Sequence, residues 1–206
     1  MAQITDSKTN NVTNKKVRIA IFASGAGSNA KKIIEYFRKH ELVEVSLIVS
    51  NKPQAGVLHI AAENKLPILL IERERFFRGD AYIQELKGHG IQFIVLAGFL
   101  WKIPDMLIKA FTGNIINIHP ALLPKYGGKG MYGAFVHEAV ITAKEKESGI
   151  TIHFVDELYD HGDHILQVTC PVYPNDTPAT LAHRIHELEH AHFPLVIEEV
   201  IMKKFS

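Results

Sequence analysis

The sequence predicts an α/β domain built on one mostly parallel sheet with helices on both faces. Three observations point there. From Val17 onward, short apolar runs alternate with segments of helical periodicity. The runs are almost continuous in Val, Ile, Leu, Phe and Ala, as strands covered on both sides require. Residues foreign to a core gather where the runs stop, and ligands of such sheets bind beyond the carboxyl ends of the strands.

Val17-Arg18-Ile19-Ala20-Ile21-Phe22-Ala23 is the expected first strand, and Ala30 to His40 a helix with Ile33, Ile34 and Phe37 inward. Val45 to Val49 forms the second strand and Val57 to Asn64 its helix. Pro67 opens a third strand, Ile68 to Ile71; a helix from Asp80 to Lys87 then leads to a fourth, Phe93 to Ala97. Pro104 begins a helix over Asp105 to Ala110, which feeds an apolar strand ending in Asn117-Ile118-His119. A helix from Phe135 to Lys146 precedes an alternating strand, Ile150 to Val155, with Leu166 to Val172 as its hairpin partner or next strand. From Thr177 the pattern is helical, capped by Asp176 or Thr177 and broken at Pro194. No repeat or linker divides the chain, so residues 17–206 are expected to form one domain behind a flexible polar tail, Met1 to Lys16.

Composition removes several classes of function. With 206 residues, 47% hydrophobic and 22% charged, the chain is an ordinary globular one with room for a core. Lys and Arg number 23 against 22 Asp and Glu, so no basic field recruits nucleic acid or an anionic membrane. The single cysteine, Cys170, forbids an internal disulfide and suits a reducing compartment. The first residues lack the apolar core of a signal peptide, and a cytoplasmic protein is expected.

Asn117-Ile118-His119-Pro120 is the most informative stretch. Two residues apart on a strand, the amide and the imidazole share one face, and Pro120 ends the ladder. Such a pair can hold the oxygen charge of an acyl-transfer intermediate, although an Asn bracing a loop beside a packed His has the same spelling. Asp160, in the acidic turn Asp156-Glu157-Leu158-Tyr159-Asp160-His161-Gly162, is placed to turn back toward His119, raise its pKa and keep it charged. Gly25-Ala26-Gly27-Ser28-Asn29 joins the first strand to the first helix and suits a phosphate at a helix start. It is not a dinucleotide fingerprint: Ala30 stands at the third glycine position, and the second strand ends in Ser50-Asn51 without an acidic residue. His186-Glu187-Leu188-Glu189-His190 spells HExxH, but no third ligand stands out, so no metal is expected.

Together, Ala23 to Asn29, Ser50-Asn51-Lys52, Leu96-Ala97-Gly98-Phe99, Asn117 to Tyr126, Gly149 to Gly162 and Glu189-His190 resemble the folate-dependent phosphoribosylglycinamide formyltransferases, over essentially the whole chain from Val17. The resemblance implies a Rossmann-like formyltransferase fold and transfer of formyl from 10-formyltetrahydrofolate to the amine of glycinamide ribonucleotide in purine synthesis. It implies Asn117, His119 and Asp160 as the catalytic trio, with His119 protonated. It makes Gly27, Ser28 and Asn29 the phosphate turn and Glu189 the acceptor of a ribose hydroxyl. The folate is expected against Leu100, Trp101, Lys102, Ile103, Val155 and Asp156. Its partners are then small molecules, with neither nucleic acid nor membrane, and the enzyme a monomer or homodimer. Three departures from the pattern stand out: Leu100-Trp101-Lys102 alters the folate surface, Gly127 to Gly133 forms a glycine-rich loop suited to a lid, and His161 with Asp163-His164 departs from the simpler family turn. The alternatives are a formyltransferase for a nucleotide-linked amino sugar and a non-catalytic nucleotide-binding module.

Overall fold

The computed structural model describes residues 16–205, so the tail expected over Met1 to Lys16 lies outside the described residues except for Lys16. Strand β1 (Val17–Phe22) leads into α1 (Ser28–Phe37), β2 (Val43–Ser50), α2 (Gly56–Glu63) and the short β3 (Ile68–Leu70). Two small helices, α3 (Arg73–Phe77) and α4 (Ile83–Gly88), precede β4 (Phe93–Leu96), α5 (Asp105–Ala110) and β5 (Ile115–His119). Then come α6 (Ala134–Thr142), the hairpin of β6 (Glu147–Phe154) and β7 (His164–Pro171), and α7 (Pro178–Phe205).

The seven strands form one sheet in the order β3-β2-β1-β4-β5-β6-β7. β1 to β5 pair in parallel, whereas β6 and β7 are antiparallel. Alternation along each strand divides the core between the two faces. Ile19, Ile21, Phe93, Val95, Ile116 and Ile118 pack with Ile33 of α1, Val57 of α2, Val140 of α6 and Ile197 of α7. On the other face Ala20, Phe22, Leu47, Ile94 and Ile115 meet Phe76 of α3, Leu86 of α4 and Leu107 of α5. Each such side chain contributes about 1.5–3 kcal/mol by leaving water, which is why the stripes, not helix propensity, hold these short helices.

Several expected boundaries move. Helix α3 is an addition, five residues long and anchored by the buried Phe76, too short for periodicity to reveal. α4 starts at Ile83 rather than Asp80. α6 ends at Thr142, not Lys146, because Lys144 turns left-handed (φ 53°) and sends the chain into β6. The hairpin needs Gly149: a Cβ there would lie 2.0 Å from the Val168 carbonyl oxygen of β7.

α7 is capped as expected, with Thr177 Oγ1 accepting the Thr180 N–H at 3.2 Å and Pro178 in the first turn. It does not break at Pro194, however. The helix continues to Phe205 with Phe193, Pro194, Val196 and Ile197 all buried. Packing of that face against the sheet outweighs the one backbone hydrogen bond that proline removes. No helix among the described residues is long and apolar enough to cross a membrane.

Candidate active site

The chain builds the sheet outward from β1 through β2 to β3, then returns to lay β4 on the other side of β1. Loops leaving β1 and β4 therefore diverge, and a cavity of about 700 Å³ opens at their ends. Ser24 fastens its floor. Its hydroxyl donates to Asn51 Oδ1 at 2.6 Å and accepts the Leu100 N–H at 3.0 Å, while its own N–H donates to the Gly98 carbonyl at 3.0 Å. The ends of β1, β2 and β4 are thus held to one side chain.

Asn117 and His119 line one wall of the cavity, and Asp160 joins them from the loop after β6. Asp160 Oδ2 lies 3.6 Å from His119 Nδ1 and accepts the Gly128 N–H at 2.8 Å, while Oδ1 lies 3.5 Å from Asn117 Nδ2. The backbone reaches this position through a left-handed Asp160 (φ 52°). His119 Nε2 lies 2.8 Å from the Tyr126 carbonyl oxygen. A carbonyl can only accept, so Nε2 carries the proton and Nδ1 faces Asp160.

The electrostatics correct one expectation. Burial, the largest influence on His119, lowers its pKa; the Asp160 charge and the Tyr126 carbonyl raise it without overcoming that, and His153 adds to the lowering. The imidazole is therefore neutral at pH 7. Asp160 is the reverse case: burial alone would raise its pKa, but His153, His119 and the Gly128 N–H together hold it below the ordinary value.

At the other end of the cavity Gly27 (φ 83°) turns the chain into α1, which has no side-chain cap and no acidic residue in its first turn. Gly27, Ser28 and Asn29 line the cavity there. Asn29 Nδ2 donates to Glu189 Oε2 at 2.8 Å, joining residues 160 apart in sequence. Glu189 is 5% exposed, and burial pushes its carboxyl up to about 7, with Asn29 pulling the other way. The glycine turn and the cluster of Asn117, His119 and Asp160 thus line one cavity, and residues 17–197 match the family described as formyl transferase.

The chain belongs to the formyl transferase family. It is 41% identical over 192 residues to a chloroplastic phosphoribosylglycinamide formyltransferase of Vigna unguiculata, covering 91% of this chain and 62% of that protein. It thus spans somewhat under two thirds of the length of this plant relative. A phosphoribosylglycinamide formyltransferase of Bacillus subtilis (strain 168) is 36% identical over 189 residues, covering 89% of this chain and 94% of that one. The crystal structure of phosphoribosylglycinamide formyltransferase from Bacillus halodurans superposes with a TM-score of 0.82 at 35% identity, covering 90% and 96% of the two chains.

The residues expected to meet a folate fall into two groups. Leu100 lines the main cavity. Trp101, Lys102, Ile103, Val155 and Asp156 line a small adjoining pocket of about 70 Å³ that shares Asn117 and Asp160 with it. Trp101 belongs to an aromatic wall, 5.7 Å from Phe76 and 5.6 Å from Phe77 between ring centres, with the Arg73 guanidinium 5.8 Å from its own ring centre.

His153 was not among the expected residues, yet it lies against two of the trio, 3.1 Å from Asn117 Nδ2 and 3.7 Å from Asp160 Oδ1. It sits opposite Asn117 in the β5–β6 ladder. Its Nδ1 donates to the Phe154 carbonyl at 2.7 Å, which leaves Nε2 to accept from Asn117 Nδ2 at 3.1 Å and fix the amide's orientation. The loop Gly127 to Gly133 supplies Gly128, Lys129, Met131 and Tyr132 to the cavity wall. His186 and His190 of the HExxH stretch stack in parallel with ring centres 6.2 Å apart. Among the described residues no three His, Cys, Asp or Glu side chains are grouped to hold a metal ion.

Proposed function

We propose that this chain transfers the formyl group of 10-formyltetrahydrofolate to the amine of glycinamide ribonucleotide, giving formylglycinamide ribonucleotide and tetrahydrofolate for purine synthesis. Residues 17–206 act as one domain, in the cytoplasm, on small-molecule partners alone, as a monomer or homodimer. The observation that carries this reading is the meeting of Asn117, His119 and Asp160 on one wall of a cavity that ends in the Gly27–Asn29 turn. It agrees with the activity for which the plant and Bacillus subtilis relatives are named.

In this reading the phosphate rests on the turn, the ribose hydroxyls on Glu189, and the pterin in the pocket of Trp101, Lys102, Ile103, Val155 and Asp156, with Leu100 at its border. The amine nitrogen attacks the formyl carbon, a C–N bond forms, and the carbonyl oxygen becomes an oxyanion. One Asn117 hydrogen stays on His153; the other, whose contact with Asp160 is long at 3.5 Å, turns to the oxyanion. His119 gives a second donor once Nδ1 takes up a proton, which the developing negative charge and Asp160 both favour. Collapse breaks the bond to the folate nitrogen, and the proton shed by the attacking amine passes to that nitrogen through a water held by Asp160. The formyl donor is already activated, so the mechanism needs no metal.

Mixing purified protein with both substrates and following loss of the formyl folate by absorbance tests the proposal. Turnover that requires glycinamide ribonucleotide is expected. A folded preparation that binds both compounds and leaves the formyl group in place would overturn it.

A further inference from the structure

A single turn of backbone, Tyr126 to Gly128, touches both members of the His119–Asp160 pair. The Tyr126 carbonyl accepts from His119 Nε2 at 2.8 Å, and the Gly128 N–H donates to Asp160 Oδ2 at 2.8 Å. Gly127 between them packs so closely that a Cβ there would stand 3.3 Å from the Asp160 Cβ. The turn does not hold itself. Tyr126 is left-handed (φ 56°), a conformation that a residue with a side chain keeps only where its surroundings enforce it. What enforces it lies behind the cavity. The Tyr126 hydroxyl donates to Glu145 Oε1 at 2.9 Å, and its ring packs against the core layer under α1 and α7. Glu145 stands in the turn from α6 to β6, where its N–H donates to the Val140 carbonyl at 3.3 Å. Lys125 and Tyr126 hold its carboxyl below the ordinary value, so it is charged at pH 7.

We propose that Glu145 is a positioning residue for formyl transfer: by gripping the Tyr126 hydroxyl it sets the turn whose carbonyl orients His119 and whose N–H aims Asp160. Neither Glu145 nor Tyr126 lines the catalytic cavity, so the effect passes through backbone. That the oriented pair serves formyl transfer rests on the function proposed above; the hold on the imidazole does not. A carbonyl only accepts, so it selects the neutral ring with its proton on Nε2, and it also favours the imidazolium. With the grip lost, the carbonyl swings away. The neutral ring then also populates the form with its proton on Nδ1, and the His119 pKa falls further. The titratable groups facing His119 are Asp160 from the loop after β6, His153 of β6 and His137 of α6. None of them is altered in the variants below.

Nitrogen NMR of protein carrying labelled histidine reads the proton position of His119 without any substrate, the resonances being assigned by their loss in His119→Ala. The intact protein is expected to show the proton on Nε2 above pH 7. Tyr126→Phe and Glu145→Ala should each mix the two forms and lower the His119 pKa. Glu145→Gln still accepts from the hydroxyl and should restore most of the intact pattern. Lys125→Met removes only a pair whose lysine is 68% exposed, and should change nothing. In the formyl-transfer assay, Tyr126→Phe and Glu145→Ala should lower kcat about tenfold, the effect of one hydrogen bond to a charged group, with KM little changed. Because the reaction needs the imidazolium, the alkaline limb of their kcat profile should move to lower pH. A merely structural bond would lower the urea midpoint and leave the limb and the proton position alone. An unmoved proton position in both variants, or an unchanged kcat, would overturn the proposal. The expected NMR shifts in a protein that transfers no formyl group would sink the proposed reaction and leave the grip on His119 standing.

Discussion

Asn117 has two amide hydrogens, one fixed by His153 and the other only loosely held by Asp160, so the side chain is oriented yet still has a donor to offer. Removing such a donor typically costs about 3–4 kcal/mol of transition-state stabilisation. Asn117→Ala and His119→Ala should each lower kcat by roughly two to three decades while leaving the circular dichroism spectrum unchanged; near-normal turnover in either would remove it from the mechanism. Glu189 yields a pH prediction. Its folded pKa of about 7 lies above the ordinary 4.5, so the native state binds the extra proton between those values, and stability falls as pH rises through that window. Urea titrations at pH 5 and pH 8 should differ by at most about 3 kcal/mol from this group, and Glu189→Gln should abolish that share. Asn117, His119 and Asp160 were legible in the sequence because polar residues at a strand end and in an acidic turn contrast with their apolar surroundings. His153 was not: it hides in an apolar alternation, and only the register of β5 with β6 gives it a direction.

At the scale of elements, the turn into α1 is the least tolerant. A Cβ on Gly27 would meet the Val57 Cα at 2.8 Å, and the residue's φ of 83° is left-handed. The conformation costs a side chain roughly 1–2 kcal/mol and the overlap about 1–3 kcal/mol more. Gly27→Ala should therefore lower the urea midpoint and raise KM for the phosphorylated substrate more than it lowers kcat; unchanged KM would separate the turn from that substrate. The strands and most helices could be read from periodicity because each buries a continuous stripe. Pro194 and α3 could not be read in that way. A local rule against proline in a helix carries no knowledge of how much apolar surface the rest of α7 buries, and five residues of α3 are too few to show a period.

For the whole molecule, the alternation of β1, β4 and β5 puts a separate core on each face of the sheet, and Phe93 is fully buried in the layer under α1 and α7. Phe93→Ala should cost about 3–5 kcal/mol in denaturant unfolding, among the larger losses for a single truncation. The mostly parallel sheet was legible from its apolar strands; the order in which they pair was not, because continuous apolar runs carry no record of their neighbours. The Asn29–Glu189 bond has a consequence for the molecule as a whole. Any nucleotide gripped by both residues acts as a clasp between the earliest helix and the last one, so opening either releases the guest. Occupancy should quieten the breathing of both helices together. At a hundredfold excess over Kd the gain is about 2.7 kcal/mol, visible as slowed amide exchange along α7 far from any contact with the guest.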